Sequence, residues 1–499
     1  MYIGGIDIGT SGCKITLYDD NGTYICNCYE EYDVRRENGE QELDGAQLLK
    51  SVFSVIKSAA KQYPDLAVIG VTSFGESFVM LDENDNVLFP SMLYTDPRGA
   101  EQVKALCEKI GEDRLTHIAG VKPHAMFSLP KIMWIKENKP EIYAKTRRIL
   151  LMEDFVVYAL SGVAALDYAL AARTLAFDIR TKDWSSEIFE AAGVDSSLMA
   201  KPVCAGTVAG KILPARAKEL GLSEDVTIVT GAHDQVAAAV GAGVFEVGSA
   251  VDGTGTVECV TPCFDCIPEN AKLYEEGYAV IPYVFDGTYV CYALSYTGGA
   301  VLKWYRDSFA RYEHELAKKE DKNVYAILDG AVSEDPTGIL ILPHFAGAAN
   351  PYMDIASKAA IVGLTLEHTG ADVYKALMEG VTYEIMTNID HLKSFGINLD
   401  SLYATGGGAS SEVWLQIKAD ILGRPIMTLD AKEAGACGTC MLCAVAVGKY
   451  ASLKEAAKKF VKVKKTYTPR KEYTEKYAKY IEAYRKVYDA VRPIVAEIE

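Results

Sequence analysis

Residues 6–16 read IDIGTSGCKIT, and residues 248–262 read GSAVDGTGTVECVTP. Each stretch is an apolar strand leading through an Asp into a turn of Gly with Thr or Ser, then a second strand. The echo between the two halves of the chain predicts two related α/β domains meeting at a cleft, divided as 1–246 and 247–499. In the first loop Asp7, Gly9, Thr10, Ser11, Gly12 and Lys14 have the composition of a phosphate cradle. Glycines let backbone amides approach, hydroxyls donate, and Lys14 adds a cation. Asp7, at the strand end, is placed to hold Mg²⁺ through water. The same composition also makes an ordinary hairpin turn, and the Walker spacing G-x₄-G-K-[ST] is absent. Yet Asp252-Gly253-Thr254-Gly255-Thr256 repeats it, and a third loop, Thr405-Gly406-Gly407-Gly408-Ala409-Ser410, precedes the apparent helix SSEVWLQIKADILG (410–423). Three glycines between a strand and a helix leave room for a flat ligand against the backbone.

A second stretch carries the polar chemistry. GAHDQVAAAVGAG (231–243) follows the β-branched segment DVTIVT (225–230) and runs into small apolar residues that read as a closely packed helix. His233, Asp234 and Gln235 therefore sit at a strand-to-helix corner, where α/β proteins place ligand-binding groups. The competing structural reading is that Asp234 caps the helix.

Bulk properties narrow the classes. A chain of 499 residues is too long for one core. Its apolar fraction of 49% and charged fraction of 24% are those of an ordinary globular protein. A net charge of −17 argues against a general nucleic-acid or anionic-membrane binder, though not against a phosphate ligand. No signal peptide and no apolar run of membrane length are apparent, so the expected location is cytoplasmic. Among twelve cysteines, Cys437, Cys440 and Cys443 are spaced by two residues each, inside AGACGTCMLCAVAVG (434–448). That stretch reads as a helix in which cysteine is a small apolar filler, with a metal site the lesser alternative. Helices are expected around 98–110 and 128–138, and one amphipathic helix over EYTEKYAKYIEAYRKVYDAVRPIVAEIE (472–499).

These loops stand among longer segments that resemble the FGGY family of carbohydrate kinases nearly end to end. MFSLPKIMWIKEN (126–138), with Ser128, Lys131 and Trp134, fits one family signature. AAIVGLTLEHTGADVYKALMEG (359–380) fits most of a second, departing at Leu377. YTDPR (94–98) and DYALAARTLAFDIRTKDWS (167–185) read like further family segments. The resemblance implies an actin/hexokinase-type architecture, two ribonuclease-H-like domains around a deep cleft, with ATP held mainly by the second. It makes Asp234 the catalytic base rather than only a cap. It also implies that Thr10, Ser11 and Lys14 face the β- and γ-phosphates, with Asp7 near Mg²⁺. Gly253 and Thr254 would meet the transferring phosphate, and Gly299, Lys303, Gly408 and Glu412 would line the nucleotide. Sugar contacts are implied for Gly75, Glu76, Tyr94, Asp96, Met126, Asp234 and Gln235.

The expected activity is transfer of the γ-phosphate of ATP to a small sugar, a ketopentose such as xylulose, with glycerol or another polyol as the alternative acceptor. A non-catalytic sugar sensor would be expected to lose the base or a phosphate loop, and this chain keeps Asp7, Asp234 and all three loops. The partners implied are a small-molecule sugar and ATP, with a homodimer as an allowed assembly. Glycerol-kinase relatives carry Arg-Glu where this chain has Gly75-Glu76, so an enlarged acceptor pocket is expected here.

Overall fold

The computed structural model describes residues 1–430 and 433–498. In chain order the elements that build the first sheet and its surroundings are β1 (Tyr2–Ile8), β2 (Gly12–Asp19), β3 (Tyr24–Glu31), α1 (Gly45–Gln62), β4 (Leu66–Ser73), α2 (Tyr168–Ala172), β5 (Val208–Lys211), β6 (Thr227–His233) and α3 (Asp234–Ala242). There follow β7 (Ser249–Thr254), β8 (Glu258–Phe264), β9 (Ala293–Ser295), α4 (Gly299–Phe309), α5 (Gly370–Ser394), β10 (Ser401–Thr405), α6 (Glu412–Leu422), β11 (Ile426–Leu429), α7 (Ala434–Ala446) and β12 (Val463–Tyr467). Helices also form at Ala100–Ile110 and Ser128–Asn138, where apolar spacing predicts them.

The chain divides into two compact units. The first comprises Met1–Phe245, Ala279–Val290 and Ala431–Lys462; the second comprises Glu246–Tyr278, Cys291–Asp430 and Val463–Glu499. The first crossing, at Phe245/Glu246, lies beside the expected 246/247 boundary, while two later segments belong with the first unit.

The first unit's sheet has the order β5-β6-β4-β1-β2-β3. Its centre is parallel, β1 with β4 and β4 with β6, and the outer strands β2, β3 and β5 run antiparallel to their neighbours. The second unit repeats these senses strand for strand. There β7 pairs parallel with β10 and β10 with β11, whereas β8, β9 and β12 are antiparallel. Strands of the parallel centre such as β1 and β4 are buried almost throughout, as strands covered on both faces must be. The repeat read in the two Asp-containing hairpins is thus a repeat of whole sheets.

The cysteine-bearing stretch is helix α7, with Cys437, Cys440 and Cys443 fully buried. Among the described residues no group of three or more His, Cys, Asp or Glu side chains is placed to hold a metal ion. Packing explains the small residues instead. A Cβ on Gly438 would lie 2.0 Å from the Ala237 carbonyl oxygen, and one on Gly241 would lie 1.9 Å from that of Ala434. Helices α3 and α7 therefore touch backbone to backbone. Gly438→Ala is expected to force them apart and cost about 3 kcal/mol, read as a fall in denaturation midpoint with an unchanged m-value. A midpoint within experimental error of the parent would show that the helices can separate freely.

The closing stretch departs from a single helix: it forms Lys471–Tyr484 and Val487–Ile498, with Arg485 at the break bonded to Glu482 and Asp390. No helix among the described residues is long and apolar enough to cross a membrane.

Candidate active site

Asp7, Glu76 and Asp234 all lie at the carboxyl ends of the parallel strands of the first unit, on or just beyond β1, β4 and β6. That is where open α/β sheets bind ligands, because backbone groups there are no longer used by the ladder. Asp234 is the first residue of α3, and His233 occupies the capping position without a side-chain capping bond. The carboxylate of Asp234 instead accepts from the Gln235 N–H at 2.6 Å. Its side chain keeps 37% of its surface exposed, so it is open to an acceptor. Burial pushes its pKa up to about 6, against the pull of the Gln235 N–H and the Arg173 charge. The group is therefore ionised at neutral pH yet easily protonated, the compromise a general base needs.

His233 packs beside it, with Nδ1 3.3 Å from Asp234 Oδ1. Burial, with the Arg173 charge, holds this imidazole down to about 3, so it is neutral at working pH. Glu76 follows β4 in a left-handed conformation, φ +67°, that a residue with a side chain adopts only when its surroundings fix it. Arg173 Nε donates to Glu76 Oε1 at 2.6 Å, and its Nη2 reaches the same oxygen, while the Ser128 hydroxyl holds the Glu76 carbonyl at 2.6 Å. Arg173 also lies over the Phe127 ring, 5.1 Å from its centroid. It follows directly on α2, whose cap Asp167 accepts from Ala169 and Leu170 N–H groups and from the His233 backbone N–H. The helix that presents Arg173 and the strand that presents Asp234 are thus tied at one carboxyl group. Tyr94, partly exposed, completes the cluster: burial raises its hydroxyl pKa, and the charges of Glu76 and Asp234 raise it further.

Not every expected residue joins this group. Both oxygens of Asp96 are already taken, by the Gln41 N–H at 2.7 Å and by Arg98 through its N–H at 3.0 Å, Nε at 2.8 Å and Nη2 at 2.7 Å. Met126 and Gln235 are half-buried. Gly75 does not enlarge the pocket in the way expected. A Cβ there would lie 3.1 Å from Arg173 Cγ and from the His233 ring, so these two side chains fill the room.

Thr10 and Ser11 form the tip of the β1–β2 hairpin. The Lys14 ammonium lies 3.1 Å from Asp7 Oδ2 and 2.7 Å from Glu433 Oε2. Burial raises the Asp7 pKa; Lys14 opposes this, while Asp234 and Glu433 add to it. Two carboxylates thus face one ammonium, with the Asp234 charge acting on Asp7 as well, an excess of negative charge that suits a divalent cation. A Cβ on Gly435, in the first turn of α7, would lie 3.8 Å from Asp7 Oδ2.

The second unit carries a cavity of about 900 Å³. Thr254, Gly255, Thr256, Gly299, Gly407 and Gly408 form its glycine-rich wall, and Leu302, Trp304, Tyr325, Tyr374 and Trp414 its apolar wall. Lys303, Asn323, Asp329 and Ser411 supply polar groups. Glycine is required at 406, where φ is +79° and a Cβ would lie 2.6 Å from the Thr254 carbonyl oxygen. A flat aromatic base against the rings and phosphates against the loop amides fit these walls. Of the residues expected here, Thr254, Gly299, Lys303 and Gly408 line the cavity. Gly253 is one residue back along β7, and Glu412 turns outward to pair with Lys465 at 2.5 Å. Sequence reasoning passed over Arg173, Trp304, Tyr325, Tyr374 and Glu433, whose significance lies in distant partners.

Comparison with known proteins accords with this geometry. Residues 2–241 match the N-terminal domain, and residues 261–447 the C-terminal domain, of the FGGY family of carbohydrate kinases. The xylulose kinase of Bacillus subtilis (strain 168) is 27% identical over 492 residues, covering 98% of this chain and 96% of that one. The gluconokinase of the same organism is 27% identical over 457 residues, covering 90% and 88%. The crystal structure of xylulose kinase from Rhodospirillum rubrum superposes with a TM-score of 0.89 at 21% identity, covering 99% and 100%.

Proposed function

This chain belongs to the FGGY family of carbohydrate kinases and is an ATP-dependent sugar kinase, and we propose that its acceptor is a ketopentose, with xylulose as the leading substrate, phosphorylated in the cytoplasm. The observation that carries the catalytic reading is Asp234, an ionised base held open beside Glu76, Arg173 and Tyr94. A sugar hydroxyl is a weak nucleophile, and a phosphoryl group passes through a loose transition state, so catalysis is mostly positioning and charge neutralisation. Asp234 takes the hydroxyl proton late, as the acceptor oxygen gains the phosphoryl group. His233, being neutral, stays beside it without pairing its charge away. The loop amides at Gly255, Thr256 and Gly408 hold the nucleotide phosphates.

The acidic surplus around Asp7 fits Mg²⁺ brought in with the phosphates, since the described side chains make no metal site alone. Bound there, the ion supplies charge neutralisation to the phosphates. Asp7 would hold it, and Lys14 keeps Asp7 oriented.

Acceptor identity rests on the full-length likeness to a xylulose kinase and on the number of polar groups at the site. Tyr94, Asp234 and Gln235, beside the Glu76–Arg173 pair, offer polar groups that a longer acceptor pairs more fully than glycerol, and leaving such groups unpaired penalises the smaller substrate. A sugar acid such as gluconate would need a cation of its own, and Arg173 is spent on Glu76. A coupled assay of ADP release should therefore give a kcat/KM for D-xylulose at least roughly tenfold above glycerol and gluconate. Glycerol ahead by that margin overturns the assignment.

A further inference from the structure

Beneath the nucleotide cavity lies a buried ionic cluster that the proposed reaction does not use. The ammonium of Lys418, on α6, is 2.6 Å from Asp252 Oδ2 and 2.9 Å from Glu258 Oε1, and it donates to Thr254 Oγ1 at 2.7 Å. All four residues are buried. Two donors of the ammonium are hydrogen-bonded, to Asp252 and Thr254, and Glu258 lies within ion-pair distance of the same group. Asp252 and Thr254 lie on β7 and Glu258 opens β8, directly across from Thr254. One side chain therefore grips both legs of the hairpin whose tip, with Gly255 and Thr256, lines the cavity.

The helix that supplies Lys418 begins immediately after the other glycine loop. Its cap Ser411 accepts from the Trp414 N–H at 3.1 Å and donates to Asp329 at 2.8 Å. The two loops are in direct contact, since a Cβ on Gly408 would lie 2.6 Å from the Thr254 side chain. Any slip of the hairpin along α6 would change the spacing of the loop amides on both sides. An apolar cluster of equal volume would stabilise the unit as well or better, because buried charges repay their desolvation poorly. What the ionic cluster adds is a fixed register.

We propose that Lys418 is a positioning residue for the nucleotide, stapling the β7–β8 hairpin to the Gly406–Ser411 loop at the spacing the phosphates require. The inference rests on the reading of this cavity as the nucleotide site. Burial and the neighbouring Asp252 charge push the Glu258 carboxyl up to about 8, so Glu258 is protonated at neutral pH and Lys418 with Asp252 forms the charged pair. That allows stability and positioning to be separated.

Lys418→Met leaves Asp252 buried without its cation, and a large fall in Tm is expected. Lys418→Met with Asp252→Asn removes the stranded charge, and Tm should recover most of the way. ADP affinity, measured by calorimetry on the full chain, should remain at least tenfold weaker than in the parent in the double variant, with the sugar KM within about twofold. If affinity returns with Tm, or is parental in the double variant, Lys418 serves stability alone and the inference fails. A parent protein that binds no ADP would instead overturn the reading of the cavity, and the inference with it.

Discussion

Asp234→Asn is expected to lower kcat by about 10²–10⁴, the range general-base catalysis supplies, while ADP and sugar affinities change by no more than about threefold. The amide oxygen of Asn can take the same 2.6 Å bond from the Gln235 N–H, so the start of α3 is preserved. The folded pKa of Asp234 is raised to about 6, above its unfolded value. Its proton therefore favours the folded state at low pH, and that contribution is lost as pH rises through 6. At pH 7.5 the ionised group weakens the fold, and the neutral variant should melt at or above the parental temperature. Activity has the opposite dependence, since the base must be unprotonated to act. The parental kcat/KM should fall roughly tenfold per pH unit below about 6. Turnover of the variant within a few-fold of the parent, or an acid limb that stays flat well below pH 6, would remove Asp234 from the role of base.

What the sequence discloses is whatever is encoded in neighbouring residues. IDIGTSGCKIT and GSAVDGTGTVECVTP carry strand alternation and turn chemistry within a dozen positions, and they fold as the hairpins β1–β2 and β7–β8. Asp234 is legible for the same reason, because a strand, a polar trio and a small-residue helix follow one another. What depends on distant partners is not legible. The small residues of α7 announce close packing, but nothing local says that the partner is α3 or that the helix belongs with the first unit. Gly75 reads as an emptied pocket until Arg173 and His233 are seen filling it. Glu412 follows the glycine loop and reads as a ligand contact, yet the first turn of α6 points it toward Lys465. The final amphipathic pattern continues through Arg485, where its bonds to Glu482 and Asp390 accompany a break that periodicity alone does not show.

Arg173 is the plainest case of a site residue hidden by separation, since it lies 97 positions along the chain from Glu76. Arg173→Met leaves the Glu76 carboxylate buried without its partner, and breaking a buried pair in this way costs about 3–5 kcal/mol. Adding Glu76→Gln removes that stranded charge, so the double variant should regain most of the lost stability. Activity should not return with it. Glu76 is held at positive φ by Arg173 on its side chain and Ser128 on its carbonyl, and losing the first of these frees the loop that carries the proposed acceptor contact. Misplacement on the ångström scale costs about a hundredfold in rate, so kcat/KM for the sugar should fall by about that factor. A second readout separates this from a general loss of order. The Arg173 charge lowers the pKa of Asp234, hence its removal should move the acid limb of the rate profile to higher pH. A double variant with parental sugar kinetics and an unmoved acid limb would confine Arg173 to the structural support of Glu76.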